Sequence, residues 1–254
     1  MHVPMNRRQF NALAGGALAA FGLGCRSNAE PLPSDGRLKA RPHKGVRTTG
    51  AGRQALGIGR GRDALLQLPA RPVEGPLPLL VFFHGATQAG AGMLRLIGPI
   101  ADELGVAVLA PDSRESTWDA IRGQFGPDVA FVNKALDTVF AEVDVDPGRL
   151  AIGGFSDGAT YALSLGLING DLFPRVVAFS PGFVVGGALH GKAKFFVSHG
   201  TEDTILPIDQ CSRVIVHRLR GDGYDVTFRE FPGGHGVPPE IGREGLRWML
   251  ASAA

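Results

Sequence analysis

Gly154-Phe155-Ser156-Asp157-Gly158 is where residue types and spacing in this chain first point to chemistry. An apolar run of strand length, Arg149–Gly153, precedes the pentapeptide, and an Ala/Leu-rich stretch, Ala159–Leu167, follows it. Glycines two residues on either side of a serine allow a tight strand-to-helix turn that projects the hydroxyl in a strained conformation. A serine hydroxyl is a poor nucleophile until a base takes its proton, and that base needs an acid to orient it. Both are expected downstream. Of the seven histidines, His2 and His43 lie in the N-terminal arm, His190 in a loop, His217 inside a helix, and His199 directly at a strand end where it shapes the turn. His235, in Gly233-Gly234-His235-Gly236, follows the last strand and precedes the last helix, and is the candidate base. The candidate acid is Asp203 in His199-Gly200-Thr201-Glu202-Asp203, with Glu202 as its solvated neighbour.

An ester carbonyl attacked by serine develops negative charge on oxygen, which preset backbone N–H groups stabilise. The N–H of Asp157 is one candidate donor, at a helix N-terminus whose dipole favours negative charge. The other is the N–H of Ala86, in His84-Gly85-Ala86-Thr87-Gln88 after the apolar run Leu79–Phe83.

These residues need a scaffold that brings distant loops to one edge, and the chain from about residue 51 alternates short apolar runs with helical periodicity, the pattern of a mostly parallel, doubly wound α/β sheet. Strands are expected at Leu79–Phe83, Val106–Ala110, Leu150–Gly153, Val176–Phe179, Phe195–Ser198 and Val226–Phe231, behind a leading hairpin of Ala55–Ile58 and Ala64–Leu68. Helices are expected at about 91–104, 128–143, 157–169, 207–221 and 239–252. In such a sheet the loops after the strands lie along the carboxyl edge, where ligands bind.

In this order, His84-Gly85-Ala86-Thr87-Gln88, Asp128-Val129-Ala130-Phe131, Val145-Asp146-Pro147-Gly148-Arg149-Leu150, the serine pentapeptide, His199-Gly200-x-x-Asp203 and Gly234-His235 resemble their counterparts in serine esterases of the α/β-hydrolase superfamily. The likeness is to the phospholipase/carboxylesterase and polyhydroxybutyrate-depolymerase/feruloyl-esterase families, over about residues 75–250. Where those relatives usually carry Gln, Ala or Asn after the nucleophile, this chain has Asp157. The resemblance implies hydrolysis of small-molecule or polymeric carboxylic esters through an acyl-serine, with Ser156, His235 and Asp203 as triad and no cofactor. Acyl transfer, peptidase activity on the same fold, or a noncatalytic surface-binding lipoprotein are the alternatives. No HExxH, close His pair or Cys cluster suggests a catalytic metal.

Between the strands at 176–179 and 195–198, Ser180–Lys194 is Gly-rich and without amphipathic periodicity, so no cap domain is expected. Trp118, Phe125 and Phe183 are candidates either to line the open cleft or to pack.

The N-terminus has a different character. Asn6-Arg7-Arg8-Gln9-Phe10, followed by an uncharged Ala/Gly/Leu/Phe stretch to Gly24, resembles a twin-arginine export signal over residues 1–25. Phe21-Gly22-Leu23-Gly24-Cys25 resembles a lipoprotein cleavage site, which implies lipidation of Cys25 and membrane attachment. A Cys25–Cys211 disulfide is the alternative. Residues 26–50, rich in Pro, Gly, Ser, Arg and Lys, read as a flexible linker to the catalytic domain at 51–254. Residues 1–25 carry two basic side chains, residues 26–62 nine against two acidic, and residues 63–254 carry 15 against 22, so a basic arm precedes an acidic body within a net charge of +2. The body has no basic face with interleaved aromatics, and no nucleic-acid partner is expected. With 44% hydrophobic residues and 55 Gly plus Pro in 254, the composition excludes disorder, collagen and a multi-span membrane protein.

Overall fold

Leu77-Pro78-Leu79-Leu80-Val81-Phe82-Phe83 is apolar at every position, and all seven residues are buried, because this strand (β3, Leu77–Phe83) runs through the middle of a sheet covered on both faces. Around it, in a computed structural model that describes residues 35–43, 48, 50–71 and 73–251, fold β1 (Gly52–Ala55), β2 (Ala64–Leu68), β4 (Ala107–Pro111), β5 (Val145–Phe155), β6 (Arg175–Phe179), β7 (Lys194–Gly200) and β8 (Val226–Phe231). The twin-arginine segment and Cys25 lie outside the described residues. The sheet order is β1-β2-β4-β3-β5-β6-β7-β8. β2 is antiparallel to β1 and β4, and every other pairing is parallel.

Alternation along β3 divides the core. Leu79, Val81 and Phe83 point into one layer with α3 (Pro127–Glu142), α4 (Asp157–Ile168) and α5 (Ser212–Gly221), while Leu80 and Phe82 point into the other with α1 (Gly90–Leu96), α2 (Gly98–Glu103) and α6 (Pro239–Leu250). The doubly wound architecture expected from the sequence is therefore the one observed, and the β6–β7 connection is free of helix, so among the described residues no cap domain is inserted there. Trp118 and Phe125 are core residues, 0% and 5% exposed, Trp118 stacking on Tyr161 at 4.8 Å, whereas Phe183 is exposed.

Local expectations failed where side chains override pattern. The leading hairpin pairs Gly52–Ala55, not Ala55–Ile58, with β2. The cause is Asp63, whose carboxylate accepts the N–H groups of Gly57, Ile58 and Gly59 and draws that stretch into a loop. The helix expected at 91–104 is two helices, since Pro99 at the start of α2 lacks an N–H and restricts the residue before it. The last helix of the β7–β8 crossover begins at Ser212, after turns at Pro207–Cys211, instead of at 207.

The larger correction concerns the linker. Residues 35–43 are packed on the domain, with Leu38 and Ala40 0% and 2% exposed. Extended backbone that joins no sheet must find other partners for its polar groups. Here the Asn169 side chain accepts the Leu38 N–H and donates to the Gly36 carbonyl, and Asn133 accepts the N–H groups of Lys39 and Ala40. Arg37 grips Asp171 with two 2.5 Å hydrogen bonds and Arg41 adds a third at 2.8 Å, so these cations hold the Asp171 carboxyl well below the usual carboxylate range.

Candidate active site

At the carboxyl end of β5 the chain turns into α4 at Ser156, whose φ of 58° and ψ of −123° lie in a region that a side chain rarely adopts. The turn is pinned by the Ser156 N–H, which donates to the Phe179 carbonyl at 3.0 Å. The flanking glycines do not themselves take positive φ. Their contribution is space: a Cβ at Gly154 would lie 2.4 Å from the Gly158 carbonyl oxygen, and one at Gly158 would lie 2.2 Å from that of Phe83. Both neighbours are main chain and cannot rotate away. Gly158→Ala is expected to lower the unfolding free energy by about 1–3 kcal/mol, measured by urea titration, as overpacked cores do.

The elbow sets the Ser156 hydroxyl 2.9 Å from His235 Nε2, and His235 Nδ1 lies 2.6 Å from Asp203 Oδ2. The three residues named from sequence are thus joined across loops after β5, β7 and β8. Asp203 is 5% exposed. Its Oδ1 accepts the N–H groups of Ile205 and Leu206, each at 2.9 Å. Burial opposes its charge, but the Leu206 N–H, the His235 imidazole and the Ile205 N–H outweigh it and hold the carboxyl below its ordinary range. With Asp203 ionised and accepting from Nδ1–H, His235 Nε2 is left as an acceptor for the serine proton. Such a chain can move a proton off a hydroxyl at the moment that it attacks.

His199, read from sequence as shaping its turn, does more than that. It is fully buried, its Nε2 lies 2.7 Å from the Leu206 carbonyl and 3.0 Å from Asp203 Oδ2, and its Nδ1 is 2.6 Å from the Ser212 hydroxyl. Burial holds it below the usual histidine range, so it donates from Nε2 as a neutral ring and helps fix the carboxylate. Its place beside Gly200-x-x-Asp203 is the signal that was available; the contact itself needed the fold. Phe155, adjacent to the serine, also faces the site, its ring 4.8 Å from that of His235.

The loop after β3 abuts the serine closely enough that a Cβ on Gly85 would approach the Ser156 Cβ to 3.3 Å. His84 secures it from below. The Ser113 N–H donates to His84 Nε2 at 2.9 Å, leaving Nδ1–H to donate to the Gly85 carbonyl at 2.7 Å, and Trp118 Nε1–H donates to the His84 carbonyl at 2.8 Å. Burial keeps this ring neutral by pushing its pKa down. Thr87 holds a positive φ of 61° and donates its N–H to Ser116, which turns the loop back past Ala86. Among the described residues, the N–H groups of Ala86 and Asp157 have no acceptor. The Asp157 side chain, whose role the sequence left open, accepts the Thr117 hydroxyl at 2.6 Å.

Thr117 and Trp118 sit in a segment held by two carboxylates, Asp128 buried and Asp119 half-buried. Asp128 accepts the N–H groups of Arg114 and Asp119 at 2.5 and 2.7 Å, and Asp119 accepts those of Gly126 and Asp128 at 2.9 and 2.7 Å. Burial pushes the Asp128 carboxyl up to about 6, with the nearby Asp119 charge adding to the shift against the opposing Arg114 N–H. The folded chain therefore holds this proton more tightly than the unfolded chain, whose carboxyl titrates near its ordinary 3.8. The resulting stability is present below pH ~4 and lost as pH rises through about 6. Asp128→Asn cannot ionise, so relative to the parent it is expected to gain about 3 kcal/mol between pH ~4 and ~7. Urea unfolding of both proteins at the two pH values checks this; a difference independent of pH would refute the shift.

Comparison with known proteins places this geometry in context. A family model described as phospholipase/carboxylesterase matches residues 122–241, a span that contains Ser156, Asp203 and His235. Acyl-protein thioesterase 1 of Gibberella zeae is 26% identical over 220 residues, 71% of this chain and 92% of that protein. Among solved structures, a fluorophosphonate-binding serine hydrolase F from Staphylococcus aureus aligns with a TM-score of 0.64 at 17% identity, covering 80% of this chain and all of that one. A ferulic acid esterase from Anaeromyces mucronatus aligns with a TM-score of 0.57 at 16% identity, over 84% of this chain and 94% of that one. The sheet order and these likenesses together give the chain the α/β-hydrolase fold, and over residues 122–241 its sequence is similar to the phospholipase/carboxylesterase family.

Proposed function

We propose that the protein hydrolyses carboxylic esters in two steps, with Ser156 as nucleophile, His235 as general base and acid, and Asp203 as the group that orients it. The observation that carries this reading is the pair of hydrogen bonds, 2.9 and 2.6 Å, linking the three side chains. In the first step Ser156 Oγ bonds to the carbonyl carbon as its proton passes to His235 Nε2. The N–H groups of Ala86 and Asp157 receive the oxyanion, which places their stabilisation in the transition state, where it accelerates the reaction. Collapse breaks the bond to the leaving alcohol, which takes the proton from Nε2. Water then repeats the sequence on the acyl-serine, releasing the acid and restoring Ser156. No step needs a cofactor.

The relative named as an acyl-protein thioesterase favours thioesters as a second substrate class, since the acyl-serine is common to both. A series of p-nitrophenyl esters from acetate to palmitate, beside the matching thioesters, tests both readings. Turnover of short esters supports the open, uncapped site, whereas absence of turnover on every member would leave acyl transfer, peptidase activity or a binding role. The N-terminal sequence supports export, with Arg7 and Arg8 as its recognition pair and Cys25 as a lipid anchor. Loss of export in the Arg7→Lys/Arg8→Lys variant, and loss of labelled-lipid incorporation in Cys25→Ala, are the expected results.

A further inference from the structure

Beside the reacting groups lies a cleft of about 480 Å³, within the ordinary size of small-molecule sites, between α1 and the loop that carries His235. Its walls are mostly apolar: Met93 and Leu96 from α1, Phe155 from the end of β5, and Val237 next to His235 itself. Arg95, exposed on α1, is the only charged side chain among the lining residues, and no Asp or Glu lines the cleft. Among the described residues Arg95 makes no ion pair or side-chain hydrogen bond.

Position decides which part of the ester enters. In the mechanism proposed above, on which this inference rests, the leaving oxygen takes its proton from His235 Nε2. That oxygen must approach the imidazole while the carbonyl oxygen points to Ala86 and Asp157. The cleft lined by His235 is accordingly on the leaving-group side. We propose that it receives the alcohol portion of the substrate, and that this alcohol has an apolar body ending in a carboxylate that pairs with Arg95. A guanidinium presents a fork of donors that matches a carboxylate, and an arginine without a carboxylate of its own has that fork free. The substrates are then esters of hydroxy acids, cut to release the hydroxy acid as an anion.

Two esters of equal size test this: 4-carboxyphenyl butyrate and 4-carbamoylphenyl butyrate, which differ in charge only at the far end of the leaving group. The quantity read is the ratio of kcat/KM for the anionic over the neutral ester, which cancels differences in enzyme quality between variants. Arg95→Gln is expected to lower that ratio about two- to fivefold, mainly through KM, the size of an exposed ion pair. Arg95→Lys should retain part of it. Raising salt to about 0.5 M should bring the parent toward the Gln variant, because exposed charges are screened. A ratio unchanged in Arg95→Gln, or indifferent to salt, overturns the assignment of Arg95 while leaving the esterase reading intact. Absence of turnover on the neutral as well as the anionic ester overturns both.

Discussion

Ser156→Ala is expected to lower kcat for p-nitrophenyl butyrate by at least about a thousandfold while leaving the fold intact, since in the proposed mechanism the triad members act as a unit and only the oxyanion donors and binding would remain. The hydroxyl makes one hydrogen bond, to His235, so its removal creates no buried orphan of consequence. The substitution does not relieve the backbone, because Ala at φ 58° is strained as Ser is. Ser156→Gly removes both the hydroxyl and the strain. It is expected to be as inactive as the Ala variant but more stable than the parent by about 1 kcal/mol, the lower end of the cost of such backbone outliers. Near-parental turnover in either variant would remove Ser156 from the mechanism. Equal stability of the Gly and Ala variants would show instead that the elbow is not strained.

Asp203→Asn should cost about 10³–10⁴ in kcat with a much smaller change in KM. Asp203 Oδ1 is committed to the N–H groups of Ile205 and Leu206, so an Asn would keep its oxygen there and turn its NH2 toward His235 Nδ1 and His199 Nε2. Facing a donor, His235 would shift its proton to Nε2 and lose the lone pair that accepts from Ser156. A steady-state comparison at pH 8 reads the effect in kcat. Loss confined to KM would mean that Asp203 serves substrate binding and not the orientation of His235. The second donor facing the amide, His199, makes this site less tolerant of Asn than an exposed acid would be. A lower melting temperature than that of the parent is the expected companion.

How much of this was legible in the sequence differs by residue. Ser156, Asp203 and His235 could be named because each occupies a strand end whose flanking pattern is local: an apolar run, then glycine, then a polar group at a short offset. β3 was legible for the same reason, since a strand covered on both faces is apolar throughout. The packing of residues 35–43 was not legible. Its partners, Asn133, Asn169 and Asp171, are 93 to 134 positions away, and an extended segment held by side chains has no periodicity to detect. Nor was the shift of β1, because a single carboxylate, Asp63, outweighs the pairing tendency of the residues that it captures.

The sequence by itself determined the fold class and which three side chains meet at the carboxyl edge, because strand order along the chain brings successive loops to one edge of a parallel sheet whatever the details of packing. Tertiary structure decided the rest. That Gly154 and Gly158 supply space and not flexibility, that His199 shares Asp203 with His235, and that Arg95 faces the same cleft as His235 are facts about approach between distant segments. Hydrogen bonds and steric limits act over a few ångströms, and only the folded chain sets which residues come that near.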